Sequence, residues 1–452
     1  MADNRPKFNR KTRSERLRVE KVVCNPPCPE LGESHLEHQI KSMRDNVRGE
    51  DDDKQDPFMG LNLGVVKSRI LWWKEHLPEI KPAADCMMIS GLTPVLKVLN
   101  GSGCWFYALS KKEMKDLIDI GADSQRIIFG QTVKQNSHLK YAKDNNIGYV
   151  AFDSAFELHK IRKEYKDAKL MIRACITQSD KPIPKYGRNI QSCQDILNTA
   201  RMLGLKVAGV VSVIKDPSSS KDIKDTCSMI RNIFNYADKS LGYKMNFVLV
   251  KFNIDRDLTD EDNFVEMAGT MNRNFLTSFR KIPGQGTKSG GINIVVDPGE
   301  FFVKDSVSLA ASIIGVRRLG SKDNRKVYYY VNESIYQSFS HVRMKPSQKF
   351  VPKVLFYTSK IKSTKGDVEA TVYGYSDDES DVLSKDIELP GDMCNGDMLA
   401  FYGLGPYVKS FESDWMINNA EVYYFCSTED INKLKEWLPA AVVNEKEGTI
   451  MI

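Results

Sequence analysis

No stretch of the 452 residues is apolar for long enough to cross a bilayer, and the amino terminus is polar rather than signal-like. A membrane-spanning helix and a secretory leader are therefore not expected. The nine cysteines have no repeating spacing. Only Cys24 and Cys28 lie close together, with His35 and His38 following, and zinc sites usually show two regularly spaced ligand pairs. Metal binding is not expected, and unpatterned thiols suit a reducing, cytoplasmic setting. Aromatics are almost missing from the first 21 residues, where Phe8 stands alone among eight basic side chains and three acids. That arm holds a balance of +5 out of the chain's +6, so the rest is close to neutral. A basic arm without interleaved aromatics reads as a solvated tail that could carry a nuclear address, and it argues against nucleic-acid binding.

What is present is ordinary for a globular protein: 41% hydrophobic and 27% charged residues, enough for a large core and, at this length, for two domains. Residues 1–56 read as a basic arm and loosely structured lead-in, partly disordered, ending in the acidic run Glu50–Asp53. A helix is expected from Gly64 to His76. Compact apolar strands follow at 85–89, 104–109, 126–129, 147–152, 169–175, 206–213, 246–252 and 292–297. Amphipathic segments lie between them, such as Lys111–Ile120, Lys134–Lys143, Ser154–Tyr165 and Ser192–Leu203. Strands covered on both faces read as continuous apolar runs, so eight of them alternating with helices predict an α/β fold, a (β/α)8 TIM barrel over 57–303. From 304 to 452 the texture becomes rich in Tyr, Val and Phe, at 326–332, 369–375, 398–402 and 421–426. It reads as an antiparallel β-barrel or sandwich domain, with Asp377–Asp381 in a surface turn.

Several landmarks carry a family resemblance. They include Arg126-Ile127-Ile128-Phe129, the run Val133 to Ala142, Phe152-Asp153-Ser154, Val296-Asp297-Pro298-Gly299, Tyr329 to Asn332 with Tyr336 and Ser338-Phe339, and Gly396-Asp397 through Gly405 and Tyr407. In this order they resemble the ornithine decarboxylase and antizyme inhibitor family over about residues 57–426. The resemblance implies a barrel of the alanine racemase type followed by a β domain.

The family's chemistry needs a lysine on the first barrel strand to carry pyridoxal phosphate, whose ring acts as electron sink. Here that position falls on Met87 or Met88. The family cradles phosphate with a triple-glycine turn, where this chain has Val250-Lys251-Phe252-Asn253. An arginine after the Pro-Gly pair becomes Glu300, which reverses the sign of the interaction with phosphate. The ring-stacking histidine matches Val213 and a nearby serine matches Asp216. The Cys-Asp pair offered across the family's dimer matches Asp377-Asp378, and the aspartate meeting the substrate amine matches Lys345. Asp297 replaces the glutamate that pairs with the pyridine nitrogen, while Arg173 and Tyr407 match pocket positions. The resemblance therefore implies a degenerate member without cofactor or decarboxylation.

The densest match lies on the element by which the family binds antizyme, where Lys134, Gln135, Ser137, Lys140 and Tyr141 agree residue by residue. Gly130-Gln131-Thr132 departs from the family's Ala-Asn-Pro. Leu139 and Ala142 are expected in the core, with Lys134 and Gln135 exposed for an acidic partner. The leading expectation is an antizyme-inhibitor-like protein that acts on polyamine and putrescine biosynthesis. Two others stay open: a regulatory subunit pairing with an active ornithine decarboxylase or with itself, and an enzyme of unrelated chemistry using Asp216, Asp297, Asp377 and Lys345.

Overall fold

The computed structural model describes residues 21–25, 55–176, 184–214, 216–252, 261–279, 291–320, 326–340, 350–356, 366–405, 420–438, 442–444 and 449–451. Two strands precede the barrel, Lys21–Asn25 (β1) and Phe58–Asn62 (β2). The barrel is closed by eight parallel strands: Lys81–Asp85 (β3), Trp105–Ala108 (β4), Ile127–Phe129 (β5), Tyr149–Phe152 (β6), Lys169–Arg173 (β7), Lys206–Ile214 (β8), Phe247–Phe252 (β9) and Asn293–Asp297 (β10).

Alternation along these strands builds two layers. Ala83, Tyr107, Ile128, Ala151, Met171, Phe247, Leu249 and Val295 form the barrel interior. Their neighbours Ala84, Phe106, Phe129, Val150, Ile172, Val248 and Val296 pack outward into the main core under the helices. Both faces are thus apolar, which explains the continuous runs in the sequence. The first strand differs from expectation. Apolar Cys86–Ile89 is one helical turn, begun where the Asp85 carboxylate accepts the Met87 N–H, and the strand is the preceding Lys81–Asp85. A short apolar run satisfies a buried turn as well as a strand.

Seven helices follow β3 to β9 in turn, from Thr93–Gly101 to Glu261–Phe279. Among the described residues no helix of the barrel layer follows β10. The Leu63–His76 helix, capped by the Asn62 side chain, packs between the first and last of the seven and completes the ring.

Among the described residues the second unit is one mixed sheet of eleven strands. Beyond β10 it comprises Val307–Leu319 (β11), Lys326–Val331 (β12), Lys353–Phe356 (β13), Asp367–Tyr373 (β14), Val382–Pro390 (β15), Met398–Tyr402 (β16), Glu421–Ser427 (β17), Val442–Asn444 (β18) and Thr449–Met451 (β19). β2 belongs to this sheet rather than to the barrel, antiparallel to β11 and parallel to β17, and β1 is parallel to β17 on its other side. Strand β11 pairs with β2 and β16 over its first half, then turns at a bulge by Gly315 to pair with β12. The expected turn over Asp377–Asp381 is exposed up to Ser380, but Asp381 is buried, accepting from Ser334 Oγ at 2.8 Å and the Ile335 N–H at 2.9 Å.

Among the described residues no helix is long and apolar enough to cross a membrane. The Thr428–Trp437 helix docks on the barrel helix Thr93–Gly101, where a Cβ on Gly101 would lie 1.7 Å from the Trp437 carbonyl oxygen. Alanine is ordinarily the better helix former by about 1 kcal/mol. Here Gly101→Ala is expected to lower stability by about 1–3 kcal/mol, because backbone must move to admit it. Urea unfolding checks this; an unchanged or raised midpoint would show that the helix yields freely.

Candidate functional site

The C-terminal ends of parallel barrel strands are where such folds place reacting groups. At this end Asp85 closes β3, Lys251 lies one residue from the end of β9, and Asp297 closes β10. Strand register sets Lys251 directly beside Asp297. Its Nζ lies 2.7 Å from Asp85 Oδ2 and 3.0 Å from Asp297 Oδ2. The remaining oxygens accept backbone N–H groups, Oδ1 of Asp85 from Met87 at 3.1 Å and Oδ1 of Asp297 from Gly299 at 2.9 Å. The ammonium also lies 3.7 Å from the centre of the Tyr107 ring, an aromatic face that attracts a cation. Tyr107 in turn donates to the Gly130 carbonyl at 2.8 Å. A Cβ on Gly130 would fall 2.0 Å from Cζ of that ring. Gly130 is what lets Tyr107 lie there.

Burial alone would push the Lys251 amine down, but Asp297 and Asp85 outweigh it and hold it above the ordinary lysine range. It stays an ammonium, with no lone pair to offer an electrophile. Burial raises Asp297 above the usual carboxylate range, with Lys251 opposing and Asp85 adding to the rise. Burial also pushes the Cys86 thiol well up, so it is no nucleophile.

Met87 is 38% exposed just past β3, while Met88 is packed into the core, so Met87 is the side chain that can meet a ligand in the mouth. A thioether forms no imine. Where a phosphate cradle requires bare backbone, Lys251 and buried Phe252 carry side chains, and half-buried Glu300 is an anion. Val213, 43% exposed at the end of β8, offers no ring to stack. These residues do not fit pyridoxal phosphate.

The other groups expected at the mouth make local contacts. Arg173 stacks 5.2 Å from the Tyr186 ring, Asp216 accepts the Ser218 N–H at 2.9 Å, and exposed Asp378, beside Asp377, accepts from the Tyr336 hydroxyl. Lys345 and Tyr407 lie outside the described residues, as do Cys28, His35 and His38.

The surface element requires a correction. Lys134, expected to be exposed, has a fully buried side chain whose Nζ meets Glu157 at 3.2 Å and donates to the Ala151 carbonyl at 2.6 Å. It precedes the Asn136–Asp144 helix, so helical spacing with Lys140 does not apply to it. Burial lowers its amine to about 8, with Glu157 opposing. Gln135, Ser137 and Lys140 are exposed, and Tyr141 is half-buried with Lys111 Nζ 5.3 Å from its ring centre. Leu139 and Ala142 are buried as expected. Sequence reasoning missed two exposed apolar residues here, Val133 at 64% and Phe156 at 75%. It placed Lys251 only as a side chain in the way of the phosphate turn and missed its pairing with Asp85 and Asp297, although a charge inside a strand covered on both faces signals a buried partner.

Comparison with known proteins fits this geometry into a family. Residues 63–304 match the pyridoxal binding domain of the pyridoxal-dependent decarboxylases. The chain belongs to that family. Within these decarboxylases it is similar to a probable ornithine decarboxylase of Dictyostelium discoideum, 27% identical over 92% of this chain and 88% of that one. It is also 27% identical to antizyme inhibitor 2 of Xenopus laevis, over 80% of this chain and 79% of that one. Its fold resembles the arginine decarboxylase of Paramecium bursaria Chlorella virus bound to agmatine, with a TM-score of 0.72, 23% identity, and coverage of 86% of this chain and all of the other. It is thus an ornithine-decarboxylase-like, polyamine-related decarboxylase-family member with a TIM barrel and a second β domain.

Proposed function

We propose that this chain is a non-catalytic member of the decarboxylase family that acts by binding antizyme, sparing an active decarboxylase and so raising polyamine synthesis. The observation that carries the first half is Lys251. Its ammonium is bound to Asp297, the acid that matches the family's partner for the pyridine nitrogen, so an internal cation holds that contact. Met87 and Glu300 agree with this. The second half is supported by the similarity to a protein named as an antizyme inhibitor and by exposed Gln135, Ser137 and Lys140 on the matching element.

The test is an absorbance spectrum of the purified protein with added pyridoxal phosphate, before and after borohydride, alongside carbon dioxide release from ornithine. No imine band, no covalent trapping and no turnover are expected. An imine band with turnover would return the protein to the active enzymes. Co-purification with an active ornithine decarboxylase and a changed turnover of that enzyme would favour the regulatory-subunit reading instead.

A further inference from the structure

We propose that Phe156 and Val133, rather than Lys134, are the anchors of the partner contact, and that they receive an acidic protein surface carrying an apolar side chain. The proposal rests on the antizyme-binding reading above and names the part of the element that does the binding.

Both side chains sit where the chain leaves a barrel strand and enters a helix, at the same end of the barrel as the mouth. Val133 lies in the loop between β5 and the Asn136–Asp144 helix, and Phe156 is the second residue of the Ala155–Glu164 helix, after β6. Among the described residues neither side chain belongs to the hydrophobic core. The Phe156 helix is started by Ser154, whose Oγ accepts the Glu157 N–H at 3.3 Å, and its apolar face is supplied by Leu158 and Ile161. Phe156 is 75% exposed and Val133 64%. Large apolar groups left in water at the ends of two adjacent helices are what a desolvated contact requires.

The support beneath them is rigid. Glu157 accepts the Lys134 N–H at 3.3 Å and pairs with Lys134 Nζ at 3.2 Å and Lys160 Nζ at 2.8 Å. Lys160 also donates to the Lys134 carbonyl at 2.5 Å and lies 5.8 Å from the centre of the Phe156 ring. One buried carboxylate therefore ties the loop bearing Val133 to the helix bearing Phe156. A surface held this way loses little freedom on binding.

The rim gives the partner its sign. Over residues 136–167 Lys140 pairs with Glu164 at 3.9 Å, and the exposed cations Lys143, Arg162, Lys163 and Lys166 still outnumber the exposed acids Asp144 and Asp167. Phe156, Lys160 and Lys163 follow one helical stripe, so the apolar anchor continues into basic side chains. An acidic partner with an apolar knob matches that order, and salt would slow its association.

The experiment is a binding titration of the full-length protein against purified Xenopus laevis antizyme, with Phe156→Ala, Val133→Ala and the double variant. Met202→Ala serves as the control, an 81% exposed residue on another barrel helix. Thermal unfolding establishes that every variant is folded. Phe156→Ala is expected to weaken binding on the order of thirty-fold, with the control unchanged. Binding that is intact in Phe156→Ala and in the double variant overturns this inference while leaving antizyme binding in place. A wild-type protein that does not bind overturns both.

Discussion

Lys251→Met will destabilise the protein by about 3–5 kcal/mol, the usual cost of removing one partner from a buried ion pair. The methionine fills similar volume, so the loss is electrostatic. Asp85 and Asp297, 7% and 0% exposed, would then face each other without a cation. Adding Asp297→Asn should recover part of the loss, because the amide needs no counter-charge; urea unfolding of the four proteins in that cycle measures the coupling. The pH dependence has a definite sign. Burial already raises Asp297 in the native state, and loss of Lys251 raises it further, so the native variant holds a proton that the unfolded chain releases. The native state then binds more protons than the unfolded one above the ordinary aspartate range. The deficit must therefore shrink as pH falls from 7 toward 4. For Lys251 itself the raised amine means that its contribution is present below the ordinary lysine value and fades only in strong alkali. A variant as stable as wild type at pH 7 would show that the ammonium is a solvated bystander.

Lys134→Met is expected to cost about 3 kcal/mol, at the lower end of the same range because Lys160 stays 2.8 Å from Glu157. The difference from wild type carries its own signature. The Lys134 amine is lowered from 10.5 to about 8 in the folded chain, so between those values the unfolded state binds more protons. Wild-type stability rises through that window, by about 1.4 kcal/mol per pH unit at its steepest, and the methionine variant lacks this rise. The gap between the two proteins should widen from pH 8 to 10. A constant gap would place the lysine in water. Charge reversal at Lys134 would set a carboxylate against buried Glu157, and lost partner binding would then report lost structure. Lys140→Glu would likewise face Glu164, 3.9 Å away, so Lys140→Ala, at a side chain 65% exposed, is the cleaner probe of the surface.

These two lysines also mark how far the sequence could be read. Strands β4 to β10 were legible because apolar side chains must cover both faces of a barrel strand, and that need writes itself as a run. β3 was not, since Pro82, Ala83 and Ala84 are too small or stiff to announce a strand, while Cys86–Ile89 next to them is apolar for the sake of a buried turn. β11 was missed because Ser308, Ala310, Ala311 and Ser312 lack the β-branched look of a strand. That residue 87 carries a thioether and residue 300 a carboxylate could be read from residue type alone. Burial could not: Lys134 and Lys251 are charged residues whose partners, Glu157, Asp85 and Asp297, lie 23 to 166 positions away. Only the closed barrel brings them together.

The contact between Tyr107 and Gly130 has a consequence for substitution. Position 130 cannot gain a Cβ while the tyrosine ring lies against it, and the ring is the floor on which the Lys251 ammonium rests. Lys251 in turn cannot leave while Asp85 and Asp297 share it. An amine introduced alone at residue 87 would meet a mouth whose two buried carboxylates are already paired with Lys251. Each of the other positions would lower stability if changed alone. Gly130, Tyr107 and Lys251 hold one another in place, so this mouth is closed to remodelling by single steps.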